Sequence, residues 1–446
     1  MEACTSRGGD YCMRAFIRRG VAFHKYPNGG LLRDIPRGMI FQLNLPAAEV
    51  VEKVIARESN IIKWFMERFS VDYATAKNEV YTLLNILKKE NFITDKSSES
   101  VTLSPTQSTP SLSRVTLRVT DHCNLKCIHC FLGDNRINHF LPISSIEKLF
   151  SVFHEYRVMT VLITGGEPLS HPQILEILKL ANRYALPFRL STNATLLNEN
   201  ILRELRTMPY FHSIVLSIEG LNEDHDKIRG VGNFELLLDV MKKLRRHAIR
   251  FSINITINKL NFNYLEDLVN FGLNQGAYTV HLTPIYPEGR AEGSLLLLSK
   301  EDLLKVFQKM AEIKKNPRIL LGPVDIPASY EMEEKGIGIC NLGKEWCIVY
   351  SDGSVVPCRQ FYNEGFIAGN ILQQDFSSIW KHAELFKKLR EIHPEDIEAC
   401  RGCKIIRYCR GGCRFRAYKR DNTFYGSDDK MMCNLRREYF YIGLIE

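Results

Sequence analysis

Short apolar runs predict strands at Val115–Val119, Val158–Thr164, Phe188–Ser191, Ile214–Ile218, Phe251–Ile257 and Tyr278–Thr283. Apolar residues at helical spacing predict helices at Ile174–Tyr184, Phe234–Arg246, Leu265–Asn274 and Asp302–Ile313. Strands that alternate with helices imply parallel pairing, because a parallel connection needs a crossover about as long as a helix. Six such units predict an α/β fold over residues 114–325. The expected form is a parallel sheet wrapped by helices, a partial (β/α)6 barrel of the TIM type, with its chemistry at the carboxyl ends of the strands.

A different pattern precedes it. Short strand-like segments begin at Val21, turn at Pro27–Gly30 and include Met39–Leu43. Three helices follow. Pro46 suits a first helical turn ahead of the stripe Val50, Val51, Val54 and Ile55; Ile61, Ile62, Phe65, Met66 and Phe69 make a second stripe; Asp72 caps a third built on Val80, Leu83, Leu84 and Leu87. Strands followed by three short helices predict a winged-helix module over residues 21–96. The Ser-, Thr- and Pro-rich stretch 97–113 reads as a flexible linker that lets the module move.

At 446 residues the chain has length for about three domains. With 45% hydrophobic and 25% charged residues it reads as an ordinary soluble protein. No apolar run approaches the ~18 residues of a membrane span, and the opening MEACTSRGGDYCM lacks the apolar core of a secretory signal. A cytoplasmic protein without a membrane partner is expected. The net charge of +8 is unevenly spread. From Cys400 to Glu446 there are 11 Lys and Arg against 5 Asp and Glu, whereas from Val21 to Lys96 the balance is 11 against 9. The second figure is a poor footprint for a nucleic-acid backbone, so no nucleic-acid partner is expected.

Thirteen cysteines without an export signal point to metal or redox chemistry rather than disulfides. Cys123, Cys127 and Cys130 stand with three and then two residues between them, at the end of the first predicted barrel strand. Three thiolates so spaced are one short of closing a four-iron cluster, while zinc, which also collects cysteines, prefers paired CxxC spacing and four ligands. The next strand ends in Gly165, Gly166, Glu167 and Pro168. Two glycines allow close approach to the backbone, and the carboxylate can receive an ammonium group.

The pair CxxxCxxC and GGEP resembles the radical S-adenosylmethionine (SAM) superfamily. The resemblance implies that Cys123, Cys127 and Cys130 hold a catalytic 4Fe-4S cluster whose open iron chelates S-adenosylmethionine. It also implies that Glu167 meets the cofactor's amino group, and that the reduced cluster cleaves the cofactor to a 5'-deoxyadenosyl radical that takes a hydrogen atom from a substrate. Asn193, in TNA where the family often shows TNG, Ser217 and Arg229 match positions that bind the cofactor. A core serine and a solvated arginine stay open as alternatives. Gly289, Arg290 and Ala291 resemble a GRA turn of the same family.

Beyond the barrel, Cys340, Gly353 followed by Cys358, then Cys400, Cys403, Cys409, Cys413 and Cys433 resemble the SPASM extension of radical enzymes, which houses two auxiliary iron–sulfur clusters. This domain is expected over residues 340–433, with a tail at 434–446. The resemblance implies one cluster on Cys400, Cys403, Cys409 and Cys433, the other on Cys340, Cys358 and Cys413. Cys347 either completes the latter set or is a buried strand cysteine that leaves an iron open to a substrate thiolate.

The front segment resembles the PqqD-like precursor-peptide recognition domain of peptide-maturing enzymes, which captures a leader as an added strand. The whole combination resembles maturases of ribosomally made peptides. It implies as partners a precursor peptide, leader plus core, and an electron donor such as flavodoxin or ferredoxin. The expected reaction is a cross-link, with a sulfur-to-carbon thioether favoured and carbon–carbon linkage or epimerisation as alternatives. Rival expectations are an enzyme acting on a folded protein or a porphyrin-type substrate and, in another class, an iron–sulfur winged-helix regulator that binds DNA.

Overall fold

The computed structural model describes residues 15–18, 21–26, 29–34, 39–58, 60–94, 112–133, 139–313, 319–321, 343–363, 365–404, 406, 411–428, 430–435 and 437. Two compact units divide the chain, Met1–Ser108 and Thr109–Glu446. Cys4, Cys12, Cys340, Cys409 and most of the predicted linker lie outside the described residues.

In the first unit, β1 (Phe16–Ile17) pairs antiparallel with β5 (Ile93–Thr94), and β2 (Val21–Tyr26), β3 (Gly29–Asp34) and β4 (Met39–Asn44) form an antiparallel sheet in that order. Helices α1 (Leu45–Ile55), α2 (Ile61–Phe69) and α3 (Tyr73–Lys89) follow. Each starts at a side-chain cap: Asn44, Asn60 and Asp72 accept the backbone N–H of Ala47, Lys63 and Thr75 at 2.9, 3.2 and 2.9 Å. The predicted stripes converge, with Val50, Val51, Val54, Phe65, Val80, Leu84 and Leu87 buried around Leu32 and Leu43.

The second unit is built on one sheet. Its parallel strands are β6 (Arg114–Arg118), β7 (Thr160–Thr164), β8 (Phe188–Thr192), β9 (Phe211–Ile218), β10 (Phe251–Ile257), β11 (Val280–Pro284) and β12 (Ile319–Leu321). The connecting helices are α4 (Ile143–Glu155), α5 (Ile174–Arg183), α6 (Glu199–Arg206), α7 (Glu223–Arg229), α8 (Asn233–Arg246), α9 (Leu265–Asn274) and α10 (Lys300–Ile313). Beyond the six expected strands, β12 pairs with β11, and β13 (Trp346–Val349) adds in parallel to the far side of β6. The hairpin partner β14 (Ser354–Val356) and then β15 (Gly369–Asn370) extend the sheet antiparallel to ten strands. Helices α11 (Arg359–Asn363), α12 (Phe376–His382) and α13 (Glu384–Glu391) belong to this carboxyl portion.

Alternation within the strands decides what each face does. Val115, Leu117, Val161, Ile163, Phe188, Leu190, Ile214, Leu216, Ile253 and Ile255 pack in one apolar core with the helices. Most of the intervening residues are polar, Leu162 and Val215 excepted, and Arg114, Thr116, Arg118, Thr160, Arg189, Ser213 and Ser252 are nonetheless buried. A parallel sheet covered by helices on both faces would show continuous apolar runs. Here one face carries the helices and the other a polar lining. Arg189 satisfies part of it, donating to Ser213 Oγ at 3.1 Å and Ser252 Oγ at 2.7 Å.

Candidate active site

The loop Asp121–Phe131, with Cys123, Cys127 and Cys130, leaves the end of β6. It is clamped by backbone on two sides. From β7, Gly166 N–H donates to Thr120 O and Glu167 N–H to His122 O, both at 2.7 Å. A Cβ on Gly165 would lie 2.4 Å from Thr120 O, and one on Gly166 2.3 Å from His122 O. The glycines therefore admit the protein's own chain, where the sequence had suggested a ligand's approach. From the turn after β11, Arg290 N–H donates to Cys130 O and Arg290 Nε–H to Cys127 O, both at 2.9 Å. Gly289, at φ +58, leaves no room for a Cβ against Cys130 O and Phe131.

Glu167 is fully buried. Its Oε1 accepts from Leu169 N–H at 3.0 Å and Thr192 Oγ1–H at 2.7 Å, and its Oε2 from Asn193 N–H at 2.7 Å. Burial pushes its pKa up to about 7, against the pull of these hydrogen bonds and the Arg229 charge. The carboxyl thus ties β7 to β8, and Pro168 opens the short turn Pro168–Ser170 that follows. Asn193 Nδ2 lies 3.8 Å from Cys123 Sγ and 3.0 Å from Asn124 Oδ1. Ala194, in the place of the family glycine, holds φ at +73 and is buried.

Behind the cysteines lies a group that sequence reasoning missed. Glu219, fully buried just past β9, receives Arg229 Nη2–H at 2.6 Å and lies 3.1 Å from His129 Nε2, all on Oε1. Burial alone would raise this carboxyl, but His129 and Arg229 overcome it and hold the pKa at about 2. Arg229 also faces the thiols: burial pushes Cys127 up, while the Arg229 charge pulls it down. Ile128 N–H donates to Ile228 O at 3.0 Å, which strings the cysteine loop to the end of α7. The sequence signal for Glu219 was its position two residues beyond Ser217 at the same strand end.

Buried polar atoms remain without a partner here: Arg229 Nε, Glu219 Oε2, His129 Nδ1 and Asn254 Oδ1. Asn254 is the register partner of Ser217. Unsatisfied buried donors and acceptors are costly, so those of Arg229, Glu219 and His129 behind the cysteine loop fit a polar ligand with both kinds of group.

Cys358 follows β14, Cys413 precedes the helix Arg414–Asp421, and both, with Cys400, border the cluster of Phe361, Leu389, Ile397 and Phe415. Burial, then the neighbouring Cys413, pushes Cys358 up to about 12. Arg437 Nη2 lies 3.5 Å from Cys403 Sγ, and its charge also acts on Cys433 and Cys400. Asp428, fully buried, accepts Cys413 N–H at 2.9 Å and both Arg416 nitrogens at 2.7 Å. Cys347 stands apart. It is fully buried in the core shared with the helices, while its neighbour Trp346 turns to the other face and packs beside Cys358 and Cys413.

Three thiols on one loop, the Arg229 charge acting on Cys127 and unpartnered polar atoms on Arg229, Glu219 and His129 fit an iron–sulfur protein that takes a polar organic cofactor. Family models agree: that of the Radical SAM superfamily matches residues 117–272, and that of the SPASM iron-sulfur cluster-binding domain residues 340–404. The chain is 31% identical to an AdoMet-dependent heme synthase of Methanosarcina barkeri, over 67% of this chain and 90% of that protein. It is 25% identical to the antilisterial bacteriocin subtilosin biosynthesis protein AlbA of Bacillus subtilis, over 90% of this chain and 92% of that one. In fold it resembles Streptococcus suis SuiB bound to precursor peptide SuiA, at 17% identity and a TM-score of 0.67, over 94% of this chain and 99% of that one. The chain belongs to the radical SAM superfamily. It is an enzyme that uses S-adenosylmethionine and iron–sulfur clusters, with a SPASM domain at its carboxyl side.

Proposed function

We propose that the chain is a peptide maturase. It binds the leader of a ribosomally made precursor through its front unit and removes a hydrogen atom from a residue of the core. A cross-link follows, with a sulfur-to-carbon thioether favoured. The observation that carries this reading is coverage. The likenesses that extend over the front unit are to a bacteriocin biosynthesis protein and to SuiB, whose structure holds a precursor peptide, at 90% and 94% of this chain. The heme synthase match spans 67%.

Cys123, Cys127 and Cys130 hold the catalytic cluster. Together with S-adenosylmethionine the reduced cluster supplies a 5'-deoxyadenosyl radical. Glu167, Asn193, Ser217 and Arg229 at the strand ends form the cofactor pocket, Gly165 and Gly166 serving to press that turn against the cysteine loop, and the polar face of the sheet lines the approach of the peptide. Glu219 holds Arg229 in place, so that its charge acts on the Cys127 thiol. Cys400, Cys403, Cys409 and Cys433 hold one auxiliary cluster; Cys340, Cys358 and Cys413 hold the other. Cys347 is withdrawn from the ligands, because its side chain lies on the helix side of β13. That leaves an iron of the second set open to a peptide thiolate, whose pKa a metal lowers, and this supports the thioether. In the front unit, β2 and β4 end the described three-stranded sheet, which supports leader capture by a PqqD-like winged-helix module as an added strand. The proposed setting is the cytoplasm, with flavodoxin or ferredoxin as electron donor.

Co-expression with short reading frames encoded nearby, followed by mass spectrometry, tests the reading. Loss of two hydrogens per event is expected. An unchanged mass with solvent deuterium uptake would mean epimerisation, and thiol alkylation separates thioether from carbon–carbon products. A second reading, a tetrapyrrole substrate, is favoured by the 31% identity to the heme synthase. It predicts turnover of a porphyrin-type compound after deletion of residues 1–96.

A further inference from the structure

Phe131, the residue after Cys130, meets Arg359, the residue after Cys358. The Arg359 guanidinium carbon lies 4.7 Å from the Phe131 ring centroid, and that of Arg118 lies 5.1 Å from the same ring. Arg359 also lies 5.2 Å from the Tyr286 ring, and its Nε is 3.0 Å from Glu288 Oε2. Glu288 opens the turn whose next residues, Gly289 and Arg290, press on Cys130 and hold its carbonyl. The Glu288–Arg359 ion pair thus links the turn that holds Cys130 to the residue after Cys358. Its Glu288 side chain is 13% exposed and its Arg359 side chain 31% exposed, so solvent screens it incompletely.

The column continues through the sheet. Arg118 lies 5.0 Å from the Tyr350 ring, and Tyr350 stacks on Tyr362 with centroids 3.8 Å apart and planes 6° from parallel. Arg118 is buried, so the ladder is anchored in the polar face of β6.

Charge near an iron–sulfur centre shifts its potential, because the reduced form carries one more negative charge than the oxidised form. A cation favours the reduced form, and an anion opposes it.

We propose that the Glu288–Arg359 ion pair sets the reduction potential of the iron–sulfur centre at Cys358, Arg359 raising it and Glu288 lowering it. By seating Arg359 on Phe131 the pair also fixes that centre against the cysteine loop. Both are positioning residues. With a cluster held there, the step they would govern is its one-electron reduction, the electron coming from the peptide radical as its new bond forms and the proton released going to solvent. The inference rests on the assignment of Cys358 as a cluster ligand.

The test is a redox titration of the reconstituted full chain with dithionite, followed by electron paramagnetic resonance. Added S-adenosylmethionine marks the signal of the catalytic cluster. Arg359→Gln is expected to shift the auxiliary potential negative, Glu288→Gln to shift it positive, and Arg359→Lys to leave it near that of the parent. Shifts of one sign in both Gln variants, or none in either, overturn the inference, since loosened packing has no reason to act with opposite signs. Cys358→Ala is expected to lose that signal with about four irons. Full iron retention there overturns the ligand assignment, whereas iron loss with unmoved Arg359 and Glu288 variants overturns this inference alone.

Discussion

Glu167 illustrates what one residue can be asked to do. A carboxylate at a strand end was legible from GGEP, and its burial was not, because the three donors that hold it come from Leu169, Thr192 and Asn193. Its pKa of about 7 exceeds the ordinary 4.5, so the folded state holds this proton more tightly than the unfolded chain. Its contribution to stability is present below about 4.5 and is lost as pH rises through about 7. If the cofactor's ammonium pairs with the ionised form, S-adenosylmethionine affinity rises with pH through about 7, and binding releases a proton. Calorimetry in two buffers of different ionisation enthalpy reads this directly; Glu167→Gln is expected to flatten the profile, and an unchanged slope would remove Glu167 from that role. Cys347 gives a second prediction at this scale. Cys347→Ala is expected to keep its full iron content and auxiliary signals, whereas iron loss would return it to the ligands. The sequence favoured a buried strand cysteine at Cys347 without excluding a ligand; the alternation of Trp346 and Cys347 across β13 closes the question of which face it occupies.

At the scale of elements, the predicted strands from β6 to β11 were legible because each carries a face of branched or aromatic residues, as in Ile253, Ile255 and Ile257 of β10. The strand β12 has three residues, too few for a period to register. Loop contacts were the least legible part. Gly289 and Arg290 act through backbone and a single side chain on Cys127 and Cys130, which leaves no periodic trace in the sequence. Glu219 belongs with them. Removing its charge by Glu219→Gln strands Arg229 and His129 in a buried site and is expected to cost on the order of 3–5 kcal/mol. Denaturant unfolding of the apo chain measures it, and a shift below about 1 kcal/mol would show that the group is not a structural keystone.

For the whole molecule, the two units make separable claims. Deleting residues 1–96 is expected to leave cofactor cleavage intact and to abolish processing of a leader-bearing precursor, read by 5'-deoxyadenosine release and peptide mass in the same reaction. Loss of both would mean that the second unit needs the first to fold. The front unit was legible in its stripes and in Asp72, which opens α3 as expected, whereas the caps Asn44 and Asn60 of α1 and α2 were not foreseen. The carboxyl region was legible as chemistry but not as architecture, since nothing in the spacing of its cysteines announced that its hairpin would join the catalytic sheet.

That union of β13 with β6 makes the sheet a ruler. Neighbouring strands keep a spacing of about 4.7–4.9 Å, so the offset between the loop leaving β6 and the hairpin that ends in Cys358 is graduated in hydrogen bonds. Drawing the two centres apart would mean unzipping a ladder that begins at Trp346 and Arg114. Any gate that admits a substrate must therefore open without lengthening this gauge.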